Sequence, residues 1–583
     1  MRHILITILV TILLASAPAT GQVATWQGIV TENWFNDLNW NPEAIPGAGT
    51  NVLIDTTMPN PTTLAGAATP DLGAIQVGES GTGDLLVELG GKLNNDGIGV
   101  LGTESGSVGF VTVRDAGSEW RIDHNLVVGE QGGGSLQLRE EGYVLNDHAR
   151  IGNSASGSGT VSVWSGSNWV SLGNLFVAHS GTGSLDIRGS SAVYNQAQAF
   201  VGYAGSGEGS VRVREGGGWA SFDDVFVGRQ GQGKLDIESG GVVLATNNSN
   251  SFVGTQSGGA GEVTVTGPGS RWTTEAGLII GVGGNGQLDV SNGGEVSGNI
   301  VSIGDLASGT GTVTVGENSQ LISNGNLIVG AVGTGTLTVD GGEVTNDHVG
   351  IIGNAADGNG EVILSSAGSY WFSQNDILVG NNGSGSLTVS SAAEVESGAR
   401  VLISANPGGS GLVELWGTLT ASTDHGGTQV RDGGRLTGFG TIHGGLHVNA
   451  GGILAPGVGE GSIGTLTVNG NLNLSSAESV LEFDLSNFSV PPDPPEPVSD
   501  RIDVNGDLIL NGTLNATVTG VFLPGIYTLI SYTGTMTDQG LAIGSLPPPT
   551  GHGAWIDTTT QPGEVRLVVD ELPDEMFSDR FEM

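Results

Sequence analysis

Short apolar strings that end in glycine recur along this chain at a near-constant interval. The strings LVVG, LFVA, VFVG, LIIG, LIVG and ILVG end at Gly129, Ala178, Gly228, Gly281, Gly330 and Gly380. The steps between them are 49, 50, 53, 49 and 50 residues. Similar strings lie between them and end at Gly102, Gly152, Gly202, Gly254, Gly304 and Gly353. One unit of this size cannot bury its apolar side alone, so the repeat predicts a solenoid of stacked copies.

Each 50-residue unit consists of two similar halves of about 25 residues, the length of one coil of a parallel β-helix. A half contains an I/L-x-V-G strand, a Gly/Ser-rich turn, a strand of the type GTLTV with period-2 alternation, and a short apolar step. We therefore expect an all-β fold, a right-handed parallel β-helix. Fourteen coils between Gly78 and Thr420, at a strand spacing of about 4.8 Å, would form a rod roughly 65 Å long.

A β-propeller is the alternative fold, because its blades also measure 40 to 50 residues. The likeness of the two halves, the shortness of the strands and the scarcity of Asn-Gly or Asp-Gly hairpin turns favour the β-helix.

Composition restricts the partners of the chain. The 583 residues include 104 glycines and 37% hydrophobic residues, which indicates many short strands and tight turns rather than disorder. The 59 acidic and 18 basic residues give a net charge of -41. A surface of this charge repels polyanions, so we expect no nucleic-acid partner and little attraction to anionic lipid.

The first residues, MRHILITILVTILLASAPATGQ, have the pattern of a secretory signal peptide, with a basic start, an apolar run and Ala-x-Ala spacing at Ala15, Ala17 and Ala19. We expect cleavage to leave a mature chain that begins between residues 18 and 23 and does not insert in a membrane. There are no cysteines, so an exported form has no disulfides. The expected location is secreted, or the cell surface of a Gram-negative bacterium.

The pattern divides the chain into seven segments. They are a signal peptide (1–22), a Trp-rich N-terminal cap (23–70), the repeat β-solenoid (71–420), further coils (421–489), a proline-rich loop (490–500), a C-terminal β cap (501–570) and an acidic tail (571–583).

Three tryptophans, Trp26, Trp34 and Trp40, lie within fifteen residues of each other in the cap. A solenoid needs its first open edge covered, and an aromatic cluster can do this. Aromatic faces also stack on sugars, so these three residues are at the same time the candidate glycan contacts.

A second set of tryptophans follows GSxW or GGxW turns in the repeats. These are Trp120, Trp169, Trp219, Trp272 and Trp371. Leu321 replaces tryptophan in one copy, and Val144, Val243 or Val344 holds the matching position of the other half-repeat. Exchange of indole for aliphatic side chains predicts an inward-facing ladder; an exposed sugar-binding stripe is the alternative.

The residue patterns predict no catalytic, metal or cofactor site. In the repeated strands, acidic residues occur mostly singly in turns, and the Asp223–Asp224 pair has no adjacent cation. His443 and His447 are separated by a glycine-rich turn, and His148 and His348 lie in NDH turns, so turn or surface roles are expected for all four. No calcium-binding loop motif is present.

The alternating VG…GSGxLxV and IG…GSGxVxV units with GSxW resemble the repeat of type V secretion and PEP-CTERM-associated proteins. The stretches GGILAPGVGEGSIGTLTVNGNLNL, DRIDVNGDLILNGTLNATV and GIYTLISYTG are similar to the closing part of autotransporter passenger β-helices. We find no twelve-strand barrel region and no PEP-CTERM sorting motif in this sequence. The resemblance implies a passenger-like β-helix.

Together these patterns predict an exported structural or adhesin-like surface protein without catalytic activity. Its expected partner is an extracellular polysaccharide or another cell surface. The alternative is a carbohydrate-binding or polysaccharide-degrading β-helix.

Overall fold

The computed structural model describes residues 21–457, 463–488, 496–519, 524–547 and 552–571. The chain winds through about 20 stacked coils, and almost all neighbouring strands are parallel. This confirms the predicted parallel β-helix and excludes the propeller, whose blades are antiparallel. A typical coil comprises the three strands Glu208–Arg214, Gly218–Ser221 and Val225–Val227.

The first strand of each coil belongs to the long face, named for its strands of six or seven residues in the repeats. Its strands are Thr62–Ala65, Thr82–Glu88, Val108–Arg114, Gly133–Arg139, Ser158–Val163, Thr182–Arg188, Glu208–Arg214, Gln232–Glu238, Ala260–Thr266, Asn285–Ser291, Thr310–Gly316, Thr334–Asp340, Asn359–Leu364, Ser384–Val389, Ser410–Leu415, Gly434–Gly438, Ile453–Pro456, Val480–Phe488, Glu496–Ser499, Thr513–Thr519 and Ala542–Ile543.

The second strand of each coil belongs to the tryptophan face, which carries the repeat tryptophans. Its strands are Lys92–Asn95, Glu119–Ile122, Tyr143–Asn146, Asn168–Ser171, Ala192–Asn195, Gly218–Ser221, Val242–Ala245, Gln320–Ser323, Glu343–Asn346, Tyr370–Ser373, Glu394–Ser397, Thr418–Ala421, Thr441–His443, Thr465–Asn469, Arg501–Val504 and Gly525–Tyr532, with His552–Asp557 and Glu564–Glu571 added antiparallel at its end.

The third strand belongs to the glycine face and ends just before the repeat glycine. Its strands are Val23–Trp26, Trp40–Asn41, Asn51–Ile54, Ile75–Val77, Gly99–Leu101, Leu126–Val128, Ala149–Ile151, Leu175–Val177, Ala199–Val201, Val225–Val227, Ser251–Val253, Leu327–Val329, Gly350–Ile352, Ile377–Val379, Val401–Ile403, Thr428–Val430, Leu446–Val448, Leu472–Asn473, Leu508–Leu510 and Met536–Asp538. Arg271–Ile280 and Glu295–Ile303 each run through both the tryptophan face and the glycine face. Asp37–Asn39 and Thr423–His425 are single 3-10 turns.

The half-repeat of about 25 residues is one coil, as predicted. Long-face strands from Thr82–Glu88 to Ser410–Leu415 account for the fourteen coils expected between Gly78 and Thr420. Side chains alternate along each strand, so that in Glu208–Arg214 Val211 and Val213 face the core and are fully buried. The core is a single column of aliphatic and indole side chains enclosed by the three faces.

The turn that follows the glycine face favours glycine. Gly228 has a φ of +70°, and a Cβ there would lie 2.1 Å from the carbonyl oxygen of Ala260 in the next coil. Both the left-handed backbone and the close approach of the next coil therefore favour glycine. Ala178 occupies the same turn position with a φ of +64°.

The N-terminal end of the rod is covered on all three faces. Residues 32–34 bond to the edge of the first long-face strand, through Thr63 N to Glu32 O at 2.7 Å and Trp34 N to Thr63 O at 2.8 Å. Trp40–Asn41 pairs antiparallel with Val23–Trp26, and Ala68 forms a bridge to Lys92 on the tryptophan face. The Trp-rich segment thus satisfies backbone groups that an open edge would expose.

The C-terminal end is closed differently. The hairpin of His552–Asp557 and Glu564–Glu571 pairs antiparallel with Gly525–Tyr532 and ends the tryptophan face. Within the expected proline-rich loop, Glu496–Ser499 forms an antiparallel strand against Leu485–Phe488. The predicted signal peptide up to residue 20, the start of that loop and the acidic tail from residue 572 lie outside the described residues. The described part of the chain contains no helix long and apolar enough to cross a membrane.

Candidate binding surface

The repeat tryptophans lie inside the rod. Trp219 pairs in register with Val193 below and Val243 above, and the same alternation of indole and aliphatic side chains runs from Trp120 to Trp371. All five repeat tryptophans are at most 1% exposed, as is Leu321, which replaces one of them. They therefore form the predicted inward ladder, and their ring faces are not available to a sugar.

An asparagine on the preceding coil holds most of these indoles, a feature that the sequence analysis did not identify. Trp219 Nε1 donates to Asn195 Oδ1 at 2.9 Å, and Asn195 Nδ2 in turn donates to Ser221 Oγ at 2.7 Å. The equivalent indole–amide bonds measure 2.7–2.9 Å and join Trp120 to Asn95, Trp169 to Asn146 and Trp371 to Asn346. The signal in the sequence is an asparagine at the end of KLNN, YVLN, AVYN and EVTN, one coil before each of these tryptophans.

The cap tryptophans form a second buried cluster. Trp26, Trp34 and Trp40 are 1%, 0% and 0% exposed. Trp40 packs edge-on against both others, with ring centroids 5.0 Å and 4.8 Å apart. Trp40 Nε1 donates to Trp34 O at 2.8 Å, and Trp26 Nε1 to Asn60 O at 3.0 Å. Their faces are covered by one another and by the chain, so none of the three presents a surface for sugar stacking.

A shallow polar groove crosses successive coils of the long face. It has a volume of about 740 Å³ and is bounded by the outward residues at the start of the long-face strands. One row along it reads Ser158, Thr182, Glu208, Gln232, Ala260, Asn285 and Thr310 in register. A parallel row two residues further along each strand contains Thr160, Ser184, Ser210, Lys234, Glu262, Gln287 and Thr312. Most positions of the two rows carry hydroxyl or amide groups at the strand spacing of about 4.8 Å, with Glu208, Lys234, Ala260 and Glu262 between them.

Asp500 and Asp484 form a carboxylate pair near the C-terminal end of the rod, outside the repeated strands. Burial raises the pKa of Asp500 to about 7, and the neighbouring Asp484 carboxylate acts in the same direction. The backbone N–H groups of Asp484 and Gly464 donate to Asp500 at 2.7 and 2.8 Å and oppose this effect on its pKa. The Asp500 side chain is only 1% exposed and ties two chain segments together. This geometry suits a structural carboxyl more than one that meets a substrate.

Of the residues expected in turns or at the surface, His148, His348 and Asp223 lie between strands, whereas His443 and His447 lie in strands. His148 sits between two strands and accepts a hydrogen bond at Nδ1 from Asn174 N at 2.8 Å. Asp223 caps its own turn by accepting from Asp224 N at 2.8 Å. Burial lowers the pKa of His447, which lies on the strand Leu446–Val448, whereas His443 is exposed. Within the described residues, no three His, Asp or Glu side chains are placed to hold a metal ion together.

No protein-family model matches the chain. Two curated proteins are similar to parts of it. One is the adhesin BmaC autotransporter of Brucella suis biovar 1 (strain 1330), 44% identical over 119 residues, which are 20% of this chain and 3% of that protein. The other is the uncharacterized lipoprotein YdeK of Escherichia coli (strain K12), 29% identical over 236 residues, which are 39% of this chain and 14% of that protein.

The chain thus spans only a small fraction of the length of either relative. The similarity to an autotransporter adhesin agrees with the passenger-like β-helix seen in the structure, and the PEP-CTERM resemblance finds no parallel in these two proteins. The chain is a parallel β-helix with partial sequence similarity to an autotransporter adhesin and to an uncharacterized lipoprotein.

Proposed function

We propose that this protein is an exported, adhesin-like structural protein of the Gram-negative cell surface and that it acts by binding, without catalysis. The observation that carries the proposal is that the aromatic candidates are buried inside the rod, whereas its outer surface is polar. The repeat tryptophans, their asparagine partners and the cap tryptophans all stabilise the fold. What remains for function is an outer polar surface that extends over many coils.

The partial similarity to an adhesin autotransporter supports the same proposal. Long rods present repeated weak contacts to a partner, and such contacts combine by multivalency into useful affinity. A net charge of -41 keeps such a strand-rich surface soluble.

A carbohydrate-binding protein is the second candidate. The long-face groove supports it, because rows of hydroxyl and amide groups suit hydrogen bonding to sugar hydroxyls.

Two measurements test the main proposal. Antibody labelling of intact cells that express the full chain should detect it outside the outer membrane, while a periplasmic control protein stays unlabelled. Beads coated with the purified protein should adhere to cell monolayers or polysaccharide films and should release no reducing ends from soluble polysaccharides. Labelling only after permeabilisation, or steady release of reducing ends, would contradict an adhesin-like, non-catalytic role.

A further inference from the structure

Four arginines and one tryptophan form a continuous outer ladder at the end of the long-face strands. The ladder consists of Arg114, Arg139, Trp164, Arg188 and Arg214, one residue from each of five successive coils. Arg114 pairs in register with Arg139, and Arg188 with Arg214. Trp164 lies between these pairs, since it directly follows Val163, which pairs with both Leu138 and Ile187. We call these five residues the arginine ladder.

This concentration of cations is unusual for the chain. Lys and Arg number only 18 against 59 acidic residues, and the stretch from Trp272 to Ala399 contains neither. Arg212 lies on the same strand as Arg214 and also points outward. The arginine ladder is therefore a local concentration of guanidinium groups on an acidic rod, with carboxylates beside it.

Acidic side chains form close ion pairs with the arginines at the two ends of the ladder, whereas the contact in its middle is longer. Glu88 forms an ion pair with Arg114, and Asp186 and Glu215 each lie 3.0 Å from Arg214. Glu238 accepts from Arg212 at 2.6 Å.

In the middle of the ladder, the nearest carboxylate to Arg188 is Asp186 at 3.6 Å. Arg139 has no ion pair within the described part of the chain, although Glu140 follows it.

The same middle section has hydrogen-bond donors without acceptors. Trp164 Nε1 and the Nε atoms of Arg139 and Arg188 are buried and have no hydrogen-bond partner. The Arg188 guanidinium lies 4.3 Å from the centre of the Trp164 ring, and the Arg188 side chain remains 28% exposed. Cation–π contact orders the guanidinium, and its exposed part is available to an external acceptor.

The outward positions beside Arg139 and Trp164 are neutral and polar, whereas the position beside Arg188 is Asp186. Gln137 and Ser162 pair in register beside Arg139 and Trp164, and the polar groove begins at Ser158 and Thr160 on the same strand. A ligand lying along the ladder therefore meets guanidinium groups on one side and, at Gln137 and Ser162, an amide and a hydroxyl group on the other. Coils follow each other at about 4.8 Å, which is close to the length of one sugar residue in an extended chain.

We propose that the arginine ladder binds a linear acidic polysaccharide, with its carboxylate or sulfate groups at Arg139 and Arg188 and its hydroxyl groups at Gln137 and Ser162. This inference rests on the proposed surface function, to which it adds a ligand class. Guanidinium groups suit both carboxylate and sulfate oxygens. Nucleic acid is disfavoured, because its denser charge meets the surrounding carboxylates and the net charge of -41.

Binding of the purified full chain to four probes tests the proposal: polygalacturonate, heparin, neutral dextran and duplex DNA. We expect polygalacturonate or heparin to bind at low salt, and we expect this binding to weaken as salt rises. Comparison of the two probes distinguishes a carboxylate ligand from a sulfate ligand. Dextran and DNA should bind at least tenfold more weakly. Equal binding of dextran, or tighter binding of DNA, would overturn the proposal.

Variants locate the site. The double variant R139Q/R188Q should bind the acidic probe at least tenfold more weakly, while R139K/R188K should retain part of the binding. R271Q is the matched control, since Arg271 pairs with Glu295 on the tryptophan face, and it should bind as the parent does. Circular dichroism checks that each variant is folded.

Unchanged binding by R139Q/R188Q would overturn the assignment to the arginine ladder. Antibody labelling and bead adhesion remain independent of this result, so a surface protein without this glycan site is a distinguishable outcome.

Discussion

The coil of Trp219 and the coil of Trp272 occupy equivalent places in the ladder but differ in the buried side chain that lies below the indole N–H. Below Trp219, Asn195 accepts the indole N–H and donates to Ser221. Below Trp272 the same register position is Ala245, and Trp272 Nε1 is buried without a hydrogen-bond partner. Both indoles are 1% exposed, so they differ in polar satisfaction and not in burial.

The corner after Ala245 is also less regular. The repeat step from Gly228 to Gly281 is 53 residues, the longest of the series. Asn247 and Asn248 adopt left-handed φ values of +63° and +58°, and the pairing register shifts between Thr274 and Gly277. In the regular coil, Asn195 Nδ2 also donates to Ala197 O and so joins strand, corner and indole.

The comparison shows two requirements at this position. Burial of the large side chain needs only an inward place in the strand, which Trp272 has. The second requirement is an asparagine that connects adjacent coils, because the regular corner follows Asn195 and the irregular corner follows Ala245. Gly298 occupies the asparagine position below Leu321. Leucine has no side-chain N–H that needs an acceptor, so the absence of asparagine there supports this interpretation.

Truncation of the two indoles should have the largest effect and should separate the two coils. Trp219→Ala leaves a cavity and removes the donor to Asn195, so we expect a loss of about 4 to 5 kcal/mol. Trp272→Ala leaves a similar cavity but removes an unsatisfied donor, so a loss of about 3 kcal/mol is expected. Urea unfolding midpoints measure the difference. Equal losses would show that the asparagine contributes nothing to stability.

Exchange of the partner residue should act in opposite directions in the two coils. Asn195→Ala leaves the Trp219 N–H buried without an acceptor and should cost about 2 kcal/mol. Ala245→Asn supplies the missing acceptor to Trp272 and should stabilise by up to about 1 kcal/mol. Thermal unfolding of both variants beside the parent provides the measurement. A destabilised Ala245→Asn variant would mean that the irregular corner has no space for the amide.

The smallest effect is expected in the irregular corner itself. Glu275 accepts a hydrogen bond from Asn248 N at 2.9 Å at the surface. Glu275→Ala should change global stability by less than about 0.5 kcal/mol, because exposed groups contribute little. Amide hydrogen exchange at residues 246–250 should nevertheless become faster, with no change at residues 195–199. Unchanged exchange at both corners would show that this hydrogen bond does not order the loop.

Much of the fold follows from local pattern in the sequence. Gly228 and its equivalents recur once per coil, because the left-handed turn in close contact with the next coil favours glycine there. The interval between them therefore predicts the coil length. Exchange of tryptophan for valine or leucine at one position predicts the inward ladder. Both are properties of residues within one coil and its nearest neighbours.

The partner of each indole is harder to predict, because it lies 23 to 25 residues earlier and on another coil. Asp500 and Asp484 are brought together by an antiparallel pair of strands inserted between two coils. The repeat pattern of the sequence does not predict this insertion. Trp164 was predictable in principle. It directly follows the inward Val163, so period-2 alternation places it outside, but recognition of its arginine neighbours requires the register across coils.

Removal of whole units tests the stacked β-helix most directly. A variant without residues 229–281 joins Gly228 to Val282, preserves the register and deletes two coils, including that of Trp272. We expect a folded rod shorter by roughly 10 Å than the parent of roughly 95 Å, and deletion of residues 229–330 should shorten it about twice as much. Deletion of the cap, residues 23–70, should instead cause aggregation, because it uncovers the first coil. Small-angle X-ray scattering measures the rod lengths. Folded rods that shorten in proportion to the coils removed would support the stacked β-helix. An internal deletion that unfolds, or that keeps the parent length, would contradict it.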